Sequence, residues 1–375
     1  MSEPVVMIAA GGTGGHLFPA FALTEELKRR GFEVDLVTDV RADQYGIKFP
    51  GRSAHQVPSA TLQGRSPVAV ARLLKTLWTG VSRARQLIRE TGPCVVVGFG
   101  GYPTVPPLVA ARLEKLPTVI HDSNAVMGRA NRLLSRFVTV IALTFDKTKH
   151  LGAGRQEQVR LVGTPVRDSV LEAVKPYRPR SGAEMFSLLV FGGSQGARVF
   201  ADIVPDALAG LPQAHRKRLK LVQQVRKEDM ERVNAAYSAA RIDADLQTFF
   251  SDLPELMADA HLIIARAGAS SVAELTVLGR PAILVPLPHA IDNDQLENAT
   301  RLQEAGGGWC IEQSSFTRER LRGEIVRLAD SPDVLAKAAE ATQKLGQPNA
   351  VAKLADAIEE LARTSGPEKE PEGVA

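Results

Sequence analysis

Three short runs hold the residue types that could do chemistry. Residues 11–15 (GGTGG) separate an apolar run from a helical pattern. Glycines let a backbone come close to a ligand, and the N–H groups at a helix start favour anions. Five small residues exceed what a tight turn requires. His16 follows directly, where packing has no need of an imidazole. The positive end of a helix favours its neutral, proton-accepting form. The rival reading is a histidine that caps the loop or touches a phosphate. Residues 192–196 (GGSQG) repeat the pattern and supply Ser194, a hydroxyl at a helix start. It can serve as an N-cap while the neighbouring N–H groups stay available to a phosphate. Residues 265–275 (ARAGASSVAEL) form a third corner. There Ser271 and Glu274 fit a capping box, S-x-x-E. Glu274 equally suits a carboxylate that holds two vicinal ribose hydroxyls. The residues alone leave both readings open.

Other chemistries fit less well. No Gly-Lys-Ser/Thr follows either glycine run, so the P-loop pattern fails, and Leu17 occupies the last position of a dinucleotide fingerprint. Asp39 is a weaker ribose candidate. Two D-x-D triplets, 243–245 and 292–294, could hold Mg²⁺ or Mn²⁺, but only Glu297 lies near as a further ligand. Both read as solvated turns. Cys94 and Cys310 match no metal spacing and read as buried thiols in a reducing compartment.

These corners need elements to position them. Short β-branched runs alternate with longer helical patterns, which predicts parallel sheets covered on both faces. Strands are expected at 5–9, 33–38, 95–97, 118–121, 137–143 and 159–162. A second series follows at 187–191, 219–225, 246–250, 262–265 and 282–285. A helix is expected at 17–30, ended by Gly31, and a last apolar helix at 350–362. Residues 8–16 and 189–197 align without gaps, so two similar α/β domains are expected, each with a phosphate-cradling loop. Ligands of open α/β sheets bind beyond the C-terminal strand ends. The Pro- and Arg-rich stretch 174–183 reads as part of the domain connection, and 364–375 as a disordered tail.

Composition sets the limits. At about 150 residues per domain, 375 residues mean two or three domains. With 44% hydrophobic and 23% charged residues, the chain has ample material for large cores and is not disordered. The uncharged run 91–111 is interrupted by prolines and glycines, so it is not expected to span a bilayer. No signal peptide is recognisable, and the chain reads as soluble, cytoplasmic and at most peripheral to a membrane. A net charge of +4 is weak, but residues 44–89 contain no Asp or Glu. That stretch carries Lys48, Arg52, Arg65, Arg72, Lys75, Arg83, Arg85 and Arg89. Val70, Leu73, Leu74, Leu77, Trp78 and Val81 recur within it at helical spacing. Such a helix either lies on an anionic membrane or packs its apolar stripe on a sheet. Nucleic acid is not an expected partner, because aromatic stacking residues are scarce.

Several motifs stand in a telling order: GGTGGHLFPA (11–20), GFGGYPTVPP (98–107), HDSNAVMGRANRLL (121–134), GTPVR (163–167), GGSQGA (192–197), RAGASSVAEL (266–275) and VPLPHAIDNDQLENA (285–299). Together they resemble the MurG family of bacterial peptidoglycan N-acetylglucosaminyltransferases, over nearly the whole chain except the tail. The resemblance implies an α/β, GT-B architecture: two Rossmann-like domains whose parallel sheets face each other across a cleft. The expected boundaries are 1–166 for the acceptor and membrane side and 167–346 for UDP-GlcNAc. Residues 347–363 are expected to pack back on the first domain. The implied reaction is inverting transfer of N-acetylglucosamine from UDP-GlcNAc to the C4 hydroxyl of the muramyl sugar in lipid I, giving lipid II. The implied location is the cytoplasmic face of the inner membrane, reached through the basic segment 48–89. Contacts with other cell-wall synthesis proteins would fit that setting. No cofactor and no metal are expected.

Residue roles carry over where motifs match. Thr13, Gly14 and Gly15 belong to the loop expected beside the donor sugar and acceptor pyrophosphate. His16 is the first candidate for the base and Asp122 the second. Asn124 is expected to hydrogen-bond the transferred sugar. Arg167, Ser194 and Gln295 match donor contacts, and Phe250 a backbone contact to uracil. Ala269, Ser270, Ser271, Val272, Ala273 and Glu274 match the nucleotide corner, with Glu274 on the ribose. Two departures stand out. HDSN replaces the usual HEQN, so the Asp122 carboxylate is one methylene shorter than glutamate. Asp294 precedes Gln295 where a neutral polar residue is usual. The rival activities are another GT-B glycosyltransferase with a lipid acceptor, a UDP-GlcNAc 2-epimerase, and a non-catalytic UDP-sugar-binding subunit.

Overall fold

The computed structural model describes residues 3–11, 13–39, 49–59, 66–182, 184–193, 196–288 and 290–364. The chain divides into two units. The first runs to Pro165 and resumes at Asn349; the second is Val166–Pro348.

The first unit contains β1 (Val5–Ala9), α1 (Gly14–Arg29), β2 (Glu33–Thr38), β3 (Ser53–Gln56), α2 (Pro67–Thr91), β4 (Val95–Gly98), α3 (Val105–Leu113), β5 (Thr118–Asp122), α4 (Arg129–Leu134), β6 (Val140–Leu143) and β7 (Val159–Leu161). Its seven strands are all parallel, in the order β3-β2-β1-β4-β5-β6-β7. Both faces of the sheet are covered, so the inner strands β1 and β4 are near-continuous apolar runs. Along β1, Val6 and Ile8 enter one core while Met7 and Ala9 enter the other. The strand order reverses between β1 and β4. That switch point is where open α/β sheets place ligands.

The second unit contains α5 (Asp168–Glu172), β8 (Phe186–Phe191), α6 (Arg198–Ala209), α7 (Gln213–Arg216), β9 (Leu219–Gln224), α8 (Met230–Ala240), β10 (Ala244–Gln247), α9 (Leu253–Asp259), β11 (Leu262–Ala265), α10 (Ala269–Leu278), β12 (Ala282–Leu284), α11 (Asp294–Glu304), β13 (Gly308–Cys310), α12 (Arg318–Ala329) and α13 (Pro332–Lys344). Its sheet is parallel, in the order β10-β9-β8-β11-β12-β13, with the switch between β8 and β11. The last helix, α14 (Ala350–Thr364), returns to the first unit. Its Val351, Leu354, Ala355 and Ile358 share a core with Leu17, Leu23 and Leu27 of α1. Arg30 clamps the same contact, donating to Glu26, Asp356 and Glu359.

Several boundaries differ from those expected. The first helix starts at Gly14, three residues early, because the glycine run itself turns into it. The strand expected at 246–250 is Ala244–Gln247, and the one at 137–143 is only Val140–Leu143. The edge strands β3 and β13 carry no apolar run to announce them. Of the stretch 174–183, residues 174–182 are not a free connection, and residue 183 lies outside the described residues. Tyr177 donates to the His261 carbonyl and Arg180 to the Ala329 carbonyl, so the stretch is stitched into the second unit. Residues 365–375 lie outside the described residues.

Candidate active site

In the first unit, the loops after β1 and β4 meet at the switch point. Thr13 is the extended N-cap of α1, and its carbonyl accepts from the His16 and Leu17 N–H groups. Its hydroxyl pairs with His16 Nδ1 at 3.1 Å instead of capping the helix. The half-buried imidazole lies in a cradle of glycines. A Cβ on Gly11 would stand 2.9 Å from Nδ1; one on Gly100 would stand 3.4 Å from Nε2, and one on Gly101 3.4 Å from Cε1. Gly100 and Gly101 have φ of 88° and 77°, which L side chains rarely adopt. The cradle is therefore glycine for two reasons, backbone and ring. Gly14 is buried and Gly15 exposed.

The loop after β5 is organised by Asp122. Its buried carboxylate accepts from the N–H of Asn124 (3.1 Å), the N–H of Gly128 (2.9 Å) and Asn131 Nδ2 (3.0 Å). This is the bonding of a carboxylate that shapes a turn. Beside it, His121 is fully buried and donates from Nε2 to the Gly163 carbonyl at 2.7 Å. Burial drives its pKa down to about 4, with nearby His16 adding to the effect. Asn124 remains partly exposed at the tip of the turn.

In the second unit, the glycine run follows β8. A Cβ on Gly192 would lie 2.3 Å from the Ala197 amide nitrogen, so the chain folds tightly back on itself. Ser194 lies outside the described residues. The corner after β11 begins α10 with Gly268 as N-cap, so Ser271 is not a cap and the capping-box reading of Glu274 fails. Glu274 is instead buried and accepts from Arg167 Nη2 at 3.1 Å. Burial pushes its carboxyl up, while Arg167 pulls it down. Ala269, Ser270, Ser271 and Ala273 are partly exposed on the first turns, and Val272 is buried. Phe250 is buried in the core, two residues beyond a backbone carbonyl held by Gln224. Gln295 accepts from the Leu287 N–H at 3.0 Å, closing the turn before α11. Asp294 accepts from the Gln295 N–H, and its partial burial raises its carboxyl.

The D-x-D triplets show no ligand geometry. Asp243 and Asp245 are exposed, the latter in edge strand β10 rather than a turn. Among the described residues, no group of three His, Cys, Asp or Glu side chains could hold a metal. Cys94 and Cys310 are only partly buried, and burial raises both thiols.

Sequence reasoning missed several positioning residues. Gly100 and Gly101 wall the His16 ring, Asn131 braces Asp122, Gln224 bridges two loops, and Asn298 Nδ2 ties α11 to the Ala267 carbonyl. Each acts across long sequence separations; Gly100, Gly101, Asn131 and Asn298 fall within the quoted motifs, whereas no sequence signal marks Gln224.

The glycosyltransferase family 28 N-terminal domain matches residues 6–143, and its C-terminal domain matches 187–361. The chain belongs to glycosyltransferase family 28. It is 50% identical over 350 residues to a UDP-N-acetylglucosamine--N-acetylmuramyl-(pentapeptide) pyrophosphoryl-undecaprenol N-acetylglucosamine transferase of Rhizobium rhizogenes, covering 93% of each chain. A protein of the same name from Bradyrhizobium sp. strain BTAi1 is 51% identical, covering 92% of this chain and 95% of the relative. Among solved structures, MurG of Acinetobacter baumannii matches with a TM-score of 0.77 at 28% identity, over 96% of this chain and 99% of that one. A putative UDP-N-acetylglucosamine 2-epimerase from Listeria monocytogenes shares the fold, with a TM-score of 0.68 at 15% identity over all of both chains. The family 28 match covers both switch points, so the two sheets are the two halves of a GT-B enzyme.

Proposed function

We propose that this family 28 glycosyltransferase moves N-acetylglucosamine from UDP-GlcNAc to the C4 hydroxyl of the muramyl sugar of lipid I, releasing UDP and forming lipid II. The observation that carries this reading is the 50% identity to a named transferase over 93% of the chain. The same likeness favours it over the epimerase, which shares only the fold.

In this reading the acceptor hydroxyl displaces UDP from the anomeric carbon with inversion. His16 takes the hydroxyl proton. For Nε2 to accept, Nδ1 must carry the ring hydrogen and Thr13 Oγ1 must accept it, which the 3.1 Å contact allows. Asp122 is reassigned from second base to turn-former, since N–H donors already engage its carboxylate. It holds Asn124 towards the transferred sugar. The α1 start at Gly14 and Gly15 is read as lying beside the donor sugar and the acceptor pyrophosphate, and the N–H groups of 192–196 with Ser194 as taking the leaving diphosphate. Glu274 binds the ribose, oriented by Arg167, while Gln295, Phe250 and the 269–273 turn complete the donor pocket.

We place the enzyme at the cytoplasmic face of the inner membrane, held by α2 and neighbouring cations. Among the described residues, no helix is long and apolar enough to cross a membrane. Leu74 and Trp78 are 61% and 74% exposed on α2, so packing leaves these two members of the apolar stripe in solvent, while Val81 packs on the core. The deciding experiment is transfer of labelled GlcNAc to a short-chain lipid I analogue, with and without EDTA. No transfer, with UDP-GlcNAc still bound, would sink the reading. Loss with EDTA and recovery with Mg²⁺ would sink its metal-free chemistry alone.

A further inference from the structure

Gln224 ends β9, the strand that lies between β8 and β10. Its side-chain amide reaches to both sides. Oε1 accepts from the Gly192 N–H at 2.9 Å, one residue beyond β8. Nε2 donates to the Thr248 carbonyl at 3.2 Å, one residue beyond β10. Gly192 opens the turn read as the diphosphate cradle, and Thr248 precedes Phe250, read as the uracil contact. One amide is thus the shared fastener of two loops that would touch opposite ends of one nucleotide.

We propose that Gln224 is a positioning residue for the donor: it sets the spacing between the diphosphate turn and the base-binding segment. This rests on the reading of the second unit as the UDP-GlcNAc site. A planar amide suits the task because it offers one acceptor and one donor on the same rigid group. Its role is order within the pocket, not contact with substrate. Preorganised loops bind more tightly because less ordering remains to be done on binding.

The test uses the full chain with Gln224→Met, which keeps the length and removes both bonds. UDP affinity and the KM for UDP-GlcNAc should each weaken about tenfold, as expected for two neutral hydrogen bonds. kcat should change little, because the group never meets the reacting atoms. Deuterium uptake should rise together at 192–197 and 247–251, with β8 and β9 unchanged. Gln224→Glu keeps the acceptor but loses the donor, so its uptake should rise at 247–251 alone. Native UDP affinity in Gln224→Met would overturn the proposal, as would faster exchange throughout β8 and β9. Native protein and Glu274→Ala run beside it separate the two readings. If native protein fails to bind UDP, the site assignment falls. If native protein binds, Glu274→Ala does not, and Gln224→Met binds normally, only the role of Gln224 falls.

Discussion

Arg167 Nη2 donates to Glu274 Oε1 at 3.1 Å, and the two partners differ in their access to water: the guanidinium is 27% exposed and the carboxylate 8%. The pair is therefore asymmetric. Arg167→Met strands a buried charge, a change that costs about 3 kcal/mol in comparable sites. Glu274→Gln removes the charge that burial already disfavours and leaves a cation that water can reach. Urea denaturation should show a large loss for Arg167→Met and little or none for Glu274→Gln. UDP-GlcNAc binding should fall in both. Equal destabilisation of the two variants would contradict this account.

The glycine cradle makes the placement of His16 testable without touching the ring. Gly11→Ala puts a methyl 2.9 Å from Nδ1, so the imidazole must shift. A misplacement on the order of 1 Å can cost roughly 10²-fold in rate. Thr13→Val keeps the shape but removes the hydroxyl bonded to Nδ1, and should lose about tenfold, as one hydrogen bond would. Transfer kinetics should show both losses in kcat, with UDP binding unchanged. Normal kcat in Gly11→Ala would remove His16 from the chemistry.

Much of this site was legible in the sequence, and the reason is local. Glycine runs between apolar strands and helical patterns mark where a strand ends and a ligand can approach, and both repeats lie at such corners. What stayed hidden depended on the strand order. His16 and Gly101 are far apart in the chain and meet only because β1 pairs with β4. Ser271 and Glu274 match a capping box letter for letter, yet the helix is capped earlier, by Gly268. Tyr177 and Arg180 looked like linker residues because their partners are backbone carbonyls, which no side-chain pattern announces.

His121 should make stability depend on pH. Its folded pKa is about 4 against an ordinary 6.5, so the unfolded chain binds more protons between these values. Stability is fully present above pH 6.5 and is lost as pH falls towards 4, by roughly 3 kcal/mol in total. Gln at this position keeps an N–H donor for the Gly163 carbonyl but does not titrate. Chemical denaturation of native protein and His121→Gln at pH 7 and pH 4 isolates the contribution of this imidazole. The gap between the two proteins should change by that amount; a constant gap would exclude His121 as the source.

Membrane binding should rest on fewer charges than the sequence displays. Arg52 is paired with buried Asp35, while Arg85 and Arg89 both hold Glu114, at 2.7 and 3.0 Å. Lys48 and Arg65 lie outside the described residues. Arg72, Lys75 and Arg83 are exposed and have no carboxylate partner among the described residues. Near them, Trp78 and Leu113 line a groove between α2 and α3. A basic residue near an anionic surface contributes about 1 kcal/mol, and an apolar side chain on full burial about 1.5–3 kcal/mol. Trp78→Ser should therefore weaken binding to anionic vesicles about tenfold or more, and Lys75→Gln about fivefold at low salt. High salt should erase the Lys75 effect and spare that of Trp78, since screening acts on charge alone. Arg85→Gln should weaken vesicle binding less than Lys75→Gln, because the Arg85 guanidinium is held against Glu114. Co-sedimentation with vesicles of varied anionic lipid content checks all three, and undiminished binding by Trp78→Ser would move the membrane contact off this helix.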